Sequence, residues 1–369
     1  MSTEIGFVSG YPVHATANNH AYASPVVVPL PRKRTKASSG AKSVNTAMSP
    51  ALPVRCFGAN RQLPSWLMHP WQLVQRASQR RRSLAARLAD LSKVTQALDD
   101  LFAIHLPAQA SWFGDADATE LSISESIPKW VDGIISEATT LYLRQLRPDL
   151  LAKGICIKPV AQLDEWQRDW LHHHFMQRIF PLLTPLAVDP GRPFPFISNH
   201  SLNLLVELRR PENGHGSSVV ERSSLFARVK VPRSTPRLIA VPTQQGSQVD
   251  KAASSSTVYV CSVDLVRFFV HHLFPGMPVR HVTVFRVVRG EEPLPGVTRP
   301  SSMRNRRQDD PPVVLLDVEY GISEPVLNWL VDHLNVPPYA IAHHLRLVDW
   351  ACLPYLAASV ETRPRLKSR

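Results

Sequence analysis

Between residues 179 and 204 the chain carries five prolines, Pro181, Pro185, Pro190, Pro193 and Pro195. Each fixes φ and removes a backbone donor, so no regular helix can run through this stretch. The segment must follow one rigid path, with Phe194 and Phe196 available as anchors. A brace between two domains is the favoured reading for most of its residues, ahead of direct ligand contact. The segment also separates two textures, helical periodicity before it and strand alternation after it.

Upstream, Leu84, Leu88, Leu91, Leu98 and Phe102 recur at three- and four-residue spacing, the signature of one helix face. Residues 124–151 predict a second helical region, with Val131, Ile134, Ile135, Ala138 and Leu141 as its apolar stripe. Residues 162–180 predict a third, with Leu163, Trp166, Trp170, Leu171 and Ile179 on the buried side. Arg80, Arg81 and Arg82 sit badly beside a helix N-terminus, whose dipole favours anions. They read as a loop, either solvated or meeting phosphate. Residues 1–55 read as a disordered tail, poor in apolar periodicity and carrying the basic run from Pro31 to Lys36.

Downstream, Leu202, Leu204, Val206 and Leu208 alternate as a half-buried strand should. So do Leu225, Ala227, Val229 and Val231, leaving Phe226, Arg228 and Lys230 on the other face. Further strands are expected at 258–260, 282–288 and 313–318. Amphipathic helices are expected at 263–274 and 324–335, the latter with Ser323 as cap and Pro325 in the first turn. Residues 211–224, 243–256 and 290–312 read as loops. The fold class is therefore α+β. An N-terminal helical domain spans 56–180, a mixed α/β domain spans 181–345, and a closing segment covers 346–369.

The chain has 42 Lys and Arg against 30 Asp and Glu, a net charge of +12. That balance fits either a polyanionic partner or plain solubility. The four cysteines form no C-x-x-C pair. No zinc site or disulfide framework is suggested, and a reducing compartment is expected. No apolar run reaches the roughly 18 residues of a membrane span, and the N-terminus lacks a secretion-signal order, so a cytoplasmic location is expected.

No Walker loop, G-x-G-x-x-G, H-E-x-x-H or G-x-S-x-G motif is present. His172, His173 and His174 are consecutive, so a helix points them about 100° apart, away from any shared metal or phosphate. His271–His272 and His343–His344 share that constraint. No partner carboxylate is recognisable for any of them, and all read as structural. No catalytic residue and no metal ligand is assigned.

The stretch 179–204 resembles the passage from the helical N-terminal domain into the middle (head) domain of bacterial polyphosphate kinases. Phe226 to Pro232 is similar to that family's basic head-domain strand. Leu273-Phe274-Pro275-Gly276 is similar to its helix-ending turn. Phe285-Arg286-Val287-Val288-Arg289 resembles its F-R-x-T-R stretch, with Val288 replacing threonine. Asn60 to Leu67 resembles its N-R-E-L-S-W-L, with an inserted proline. Residues 313–356 resemble the end of the head domain and the opening of the first catalytic domain. The family reaction moves the γ-phosphoryl group of ATP through phosphohistidine onto polyphosphate, with magnesium.

Two departures qualify what the resemblance implies. The family's S-N-L-D-E-F-F motif, whose asparagine helps hold ATP, corresponds to Gln96-Ala97-Leu98-Asp99-Asp100-Leu101-Phe102. Ala97 can make no such hydrogen bond. The phosphohistidine and its flanking cations belong to later domains that are not recognisable here, so 346–369 reads as a truncated opening of the catalytic domain with a tail. Mg and ATP are implied by the family, but no cofactor is expected on this chain with confidence. The expected role is non-catalytic, either dimerising or polyphosphate-binding. Candidate contacts are Arg228 and Lys230 on one strand face, and Arg286 and Arg289, which a regular strand sends to opposite faces. Ordinary surface ion pairing remains open for all four. Expected partners are polyphosphate, a full-length polyphosphate kinase, or a second copy through the head domain. A split enzyme completed in trans, a nucleic-acid-binding protein and a truncated gene product remain as alternatives.

Overall fold

The computed structural model describes residues 52, 56–57, 63–108, 123–188, 194–209, 224–242, 256–291, 294, 310–344 and 350–361. All of the expected tail but residue 52, including its basic run, most of the three expected loops, Pro190 and Pro193, and the last eight residues lie outside them.

The helical part opens with α1 (Ser65–Ser78) and α2 (Leu84–Asp100). Ser83 caps α2, its hydroxyl accepting from the Ala86 N–H at 3.2 Å. The arginines before that cap are not all solvated. Arg82 and Arg76 both pair with the buried Asp90, at 2.9 and 3.0 Å. The last turn of α2 widens into a π-type turn over Leu101–His105. α3 (Ile123–Leu141) and the short α4 (Arg147–Leu151) follow. Trp71 of α1 and Trp130 of α3 meet with ring centroids 6.1 Å apart inside this core.

The α5 helix (Glu165–His174) is capped by Asp164, which accepts from the Gln167 N–H at 2.8 Å. Its buried positions are Gln167 and Leu171, continued by Phe175 and Ile179 in the next turn. Trp166 stands one residue off that line and is exposed, contrary to its expected burial. Trp170 instead stacks on His174 at the half-buried margin, 5.2 Å between centroids.

Two sheets form the rest. The larger has six strands in the order β2-β4-β3-β7-β8-β9. They are β2 (Pro185–Val188), β3 (Leu202–Arg209), β4 (Ser224–Lys230), β7 (Val279–Arg289), β8 (Val313–Glu319) and β9 (Ile341–His344). All neighbours are antiparallel except β8 and β9. The smaller sheet joins β1 (Ile155–Ile157), β6 (Thr257–Cys261) and β5 (Leu238–Val241), with β1 parallel to β6. The strands β1, β2, β5 and β9 were not expected. Each has only three or four residues, too few for alternation to stand out. β1 pairs across the boundary expected at residue 180 and ties both parts of the chain into one sheet.

The six-stranded sheet buries both faces. On one, Leu204, Val206 and Val229 pack with α5 and with α6 (Ser262–Phe269). On the other lies α7 (Glu324–Leu334), whose Trp329 stacks on Phe226 at 4.6 Å. Such a stack is worth about 0.5–1.5 kcal/mol beyond its buried area. Ser323 stands at the N-cap of α7 without capping it through its side chain, and Pro325 occupies the first turn. Asn335 ends the helix at φ 54°, a left-handed conformation that asparagine tolerates. The closing helix α8 (Leu353–Glu361) returns to pack along α2. The segment expected as a truncated opening of another domain thus completes the helical core through Leu353, Leu356 and Val360.

The first histidine run and the His271–His272 pair meet in space. His172 of α5 faces His272 with centroids 5.1 Å apart, and His271 lies 4.2 Å from His272. Burial pulls both His271 and His272 below the ordinary imidazole value, and His172 adds repulsion. The folded protein therefore prefers them neutral. Their contribution is fully present above about pH 6.5 and is lost as pH falls below it. Urea unfolding at pH 7.5 and 5.5 should show lower stability at the acidic value. His272→Gln should reduce that difference.

Candidate anion site

One short segment organises the chemistry: Ser198-Asn199-His200-Ser201-Leu202-Asn203, the end of the proline-rich passage. His200 takes a left-handed backbone at φ 55°. This costs a histidine roughly 1–2 kcal/mol and must be held by its neighbours. The His200 N–H donates to the Val287 carbonyl at 3.0 Å. The Asn199 amide oxygen accepts from the Arg289 N–H at 3.0 Å.

Cations gather on one side of this segment. Arg228 is only 6% exposed, and its Nε donates to Asn203 Oδ1 at 2.8 Å. Asn203 is held in turn by donating to the Ser201 carbonyl at 2.7 Å. Lys230 Nζ donates to Ser198 Oγ at 3.0 Å, and Arg233 donates to the Asn199 carbonyl at 2.6 Å. All three acceptors are neutral. Among the described residues, none of these three cations has a carboxylate partner. Burial pulls the Arg228 guanidinium below its ordinary value. Burial also lowers Lys230, and the neighbouring charges of Arg228 and Arg233 lower it further. A buried cation without a counter-charge is costly, and an anion placed among these groups removes the cost.

Arg289 closes the same side. Its Nε donates to the Ile197 carbonyl at 2.8 Å, another donor reaches the Pro311 carbonyl, and the guanidinium lies 4.2 Å over the Phe196 ring.

Arg286 behaves differently. It lies on the opposite face of the sheet, 8% exposed, between two carboxylates. Its two terminal nitrogens form a fork on Asp99 of α2, each bond 2.7 Å. Its Nε donates to Asp317 Oδ2 of β8 at 2.7 Å, and a terminal nitrogen bonds the same oxygen. His200 Nδ1 lies 3.0 Å from Asp99, and His344 Nε2 lies 3.1 Å from Asp317. No recognisable sequence motif pairs His344 with a carboxylate, yet the fold sets it against Asp317. β8 and β9 run parallel and bring them together, though they lie 27 residues apart in the chain. Burial opposes the charge of Arg286, but Asp317 and Asp99 outweigh it and hold its pKa above the ordinary value. Burial alone would raise Asp317. The charge of Arg286 and the bonds from His344 and Arg286 instead hold it down at about 2.

Ala97 lies three-quarters of the way along α2, 7% exposed and inside the apolar core that α8 helps to close. A methyl group in that setting offers a nucleotide no donor or acceptor. Among the described residues, no group of three or more His, Cys, Asp or Glu is arranged to hold a metal ion, and no helix is long and apolar enough to cross a membrane.

Three of the four expected contact residues, Arg228, Lys230 and Arg289, thus meet around one segment, while Arg286 is taken up in an ion network behind it. Arg233 was missed, although it follows the quoted strand stretch by a single residue. Asp99 lies inside the stretch Gln96–Phe102, where nothing in the sequence marks it apart from its neighbour Asp100. Asp317 carried no signal beyond being an acid in an otherwise apolar strand.

The comparisons with known proteins agree with this architecture. The family model for the polyphosphate kinase middle domain matches residues 166–293. The polyphosphate kinase of Mycobacterium tuberculosis (strain H37Rv) is 30% identical over 346 residues, covering 88% of this chain and 44% of that protein. That of Parasynechococcus marenigrum is 29% identical over 286 residues, covering 75% and 37%. The crystal structure of polyphosphate kinase from Porphyromonas gingivalis is similar with a TM-score of 0.65 at 20% identity, over 83% of this chain and 42% of that one. The chain belongs to the polyphosphate kinase family, matching its N-terminal and middle domains. It spans less than half the length of the curated relatives it matches.

Arg286→Ala would leave two carboxylates buried without their cation and should cost about 3–5 kcal/mol in urea unfolding. Asp317 sets a separate acid limit. Its depressed pKa contributes stability that is present above about pH 4 and is lost as pH falls towards 2. Asp317→Asn should flatten the acid limb of the stability curve while lowering its plateau.

Proposed function

We propose that this chain is a polyphosphate-holding unit of the family that does not turn over ATP by itself. The observation that carries the proposal is the group Arg228, Lys230 and Arg233, three adjacent cations bonded only to neutral acceptors. Of the three, Arg228 is buried, Lys230 half-buried and Arg233 exposed; a buried cation without a counter-charge is costly, and a chain of phosphates supplies one at short regular intervals. Ala97 supports the second half of the reading, since the nucleotide contact implied by the resemblance is replaced by core packing. Phosphoryl transfer needs a nucleophile and a clamp of positive charge around the moving group. In this reading those parts come from elsewhere, whether from a full-length relative or from a separately made catalytic half.

Fluorescence anisotropy with labelled polyphosphate tests the binding. Lys230→Ala and Arg233→Ala should each weaken it about tenfold, and the loss of affinity with added salt should become shallower in both variants. Duplex DNA at matched phosphate concentration should bind more weakly and be indifferent to Arg228→Gln. Equal binding of DNA and polyphosphate would favour a nucleic-acid partner instead.

Incubated with ATP and magnesium, the purified chain should make no polyphosphate. Product from the chain alone would overturn the non-catalytic half of the reading, and product only after addition of a relative's catalytic half would favour a split enzyme.

A further inference from the structure

We infer that the segment Ser198–Asn203 couples the polyanion site to the seating of the helical part on the six-stranded sheet, so that filling one tightens the other. The inference rests on the proposed polyphosphate reading and concerns the regulation of that same site.

The segment is held from both sides. On the front, Ser198, Asn199 and Asn203 accept from Lys230, Arg233 and Arg228. On the back, His200 reaches Asp99, which belongs to α2 and takes the Arg286 fork from β7. Two residues, Asn199 and His200, therefore stand between an uncompensated cation group and the ion network that fixes α2 to the sheet. Ser201 ties the two sides together, its N–H and hydroxyl both donating to the Ser198 carbonyl, at 3.2 and 2.7 Å.

The direction follows from the donors left over. A guanidinium has five N–H groups and an ammonium three. Arg228, Lys230 and Arg233 each spend one donor group on the segment, so a phosphate can be bound without releasing it. While the site is empty, the like charges of the three cations repel. A bound polyanion removes that repulsion and draws the cations, and the acceptors they hold, together. The backbone of His200 is already strained, at φ 55°, and is kept in place only by its contacts. A better-anchored segment holds His200 on Asp99 more firmly. By linkage, the effect runs equally in reverse.

Hydrogen exchange of the whole chain, with and without polyphosphate, reads the coupling at a distance from the ligand. Exchange in Leu84–His105 should slow by about threefold to tenfold on binding. His200→Asn is the informative variant. Asparagine tolerates the left-handed backbone, but its shorter side chain gives up the Asp99 contact. It should weaken polyphosphate binding several-fold, without touching the ligand, and abolish the slowing in Leu84–His105. Its thermal unfolding, measured in parallel, separates this from a general loss of structure. Arg76→Ala is the control. It removes the exposed arm of the arginine pair that holds Asp90 of α2 and should lower stability without changing polyphosphate affinity. If polyphosphate binds but exchange in Leu84–His105 is unchanged, or if His200→Asn binds as the parent does, the coupling is wrong and the binding proposal stands. If polyphosphate does not bind at all, both fall.

Discussion

The charge of Arg286 is what joins α2 to β7 and β8. Two aspartates and a guanidinium are costly to bring out of water, and they hold only because their geometry is nearly complete. The fork on Asp99 and the shared contact with Asp317 supply that geometry; His344 takes the remaining oxygen of Asp317, and His200 shares Asp99 Oδ2 with the fork. A hydrophobic contact in the same place could slide. A bidentate arginine between two fixed carboxylates cannot, so the network sets the register of the helical part against the sheet as well as its attachment.

That fixed register gives the cation group its shape. The proline-rich passage delivers residues 198–203 to the start of β3, where the backbone turns through a left-handed histidine before entering the sheet. Cations from β4 and the turn after it then find backbone and amide oxygens already in place. The site is thus built from neutral acceptors that position positive charge without cancelling it, which suits an anion arriving from outside.

Much of the framework was legible in the sequence because it obeys a simple period. The long strands β3, β4, β7 and β8, and the helices α2, α3 and α7, all carry clear alternation or three- and four-residue spacing. The short strands did not, since three or four residues contain too few repeats and their pairing is decided by distant partners. Among the site residues, Arg228 and Lys230 were readable because they alternate on one strand. The ion network was not. Asp99 and Arg286 are separated by 187 residues, and no local pattern links them. The role expected for Arg286 followed from its charge and its motif, whereas its burial between two acids depends on the packing of α2. Trp166 shows the same limit: the helix was foreseen, but which flank faced the core was decided by Phe175 and Ile179 in the turn beyond it.

The three residues of β1 have a consequence for how such a protein can be inherited. Ile155–Ile157 belongs in sequence to the helical part, yet it forms the border strand alongside β6, a strand more than a hundred positions further on. Severing the polypeptide at the proline-rich passage would strip β6 of that border and leave its backbone groups open to any neighbour. The two stretches are therefore poor candidates for recombination as independent modules, and exchange between relatives should respect the pair as a single evolutionary unit.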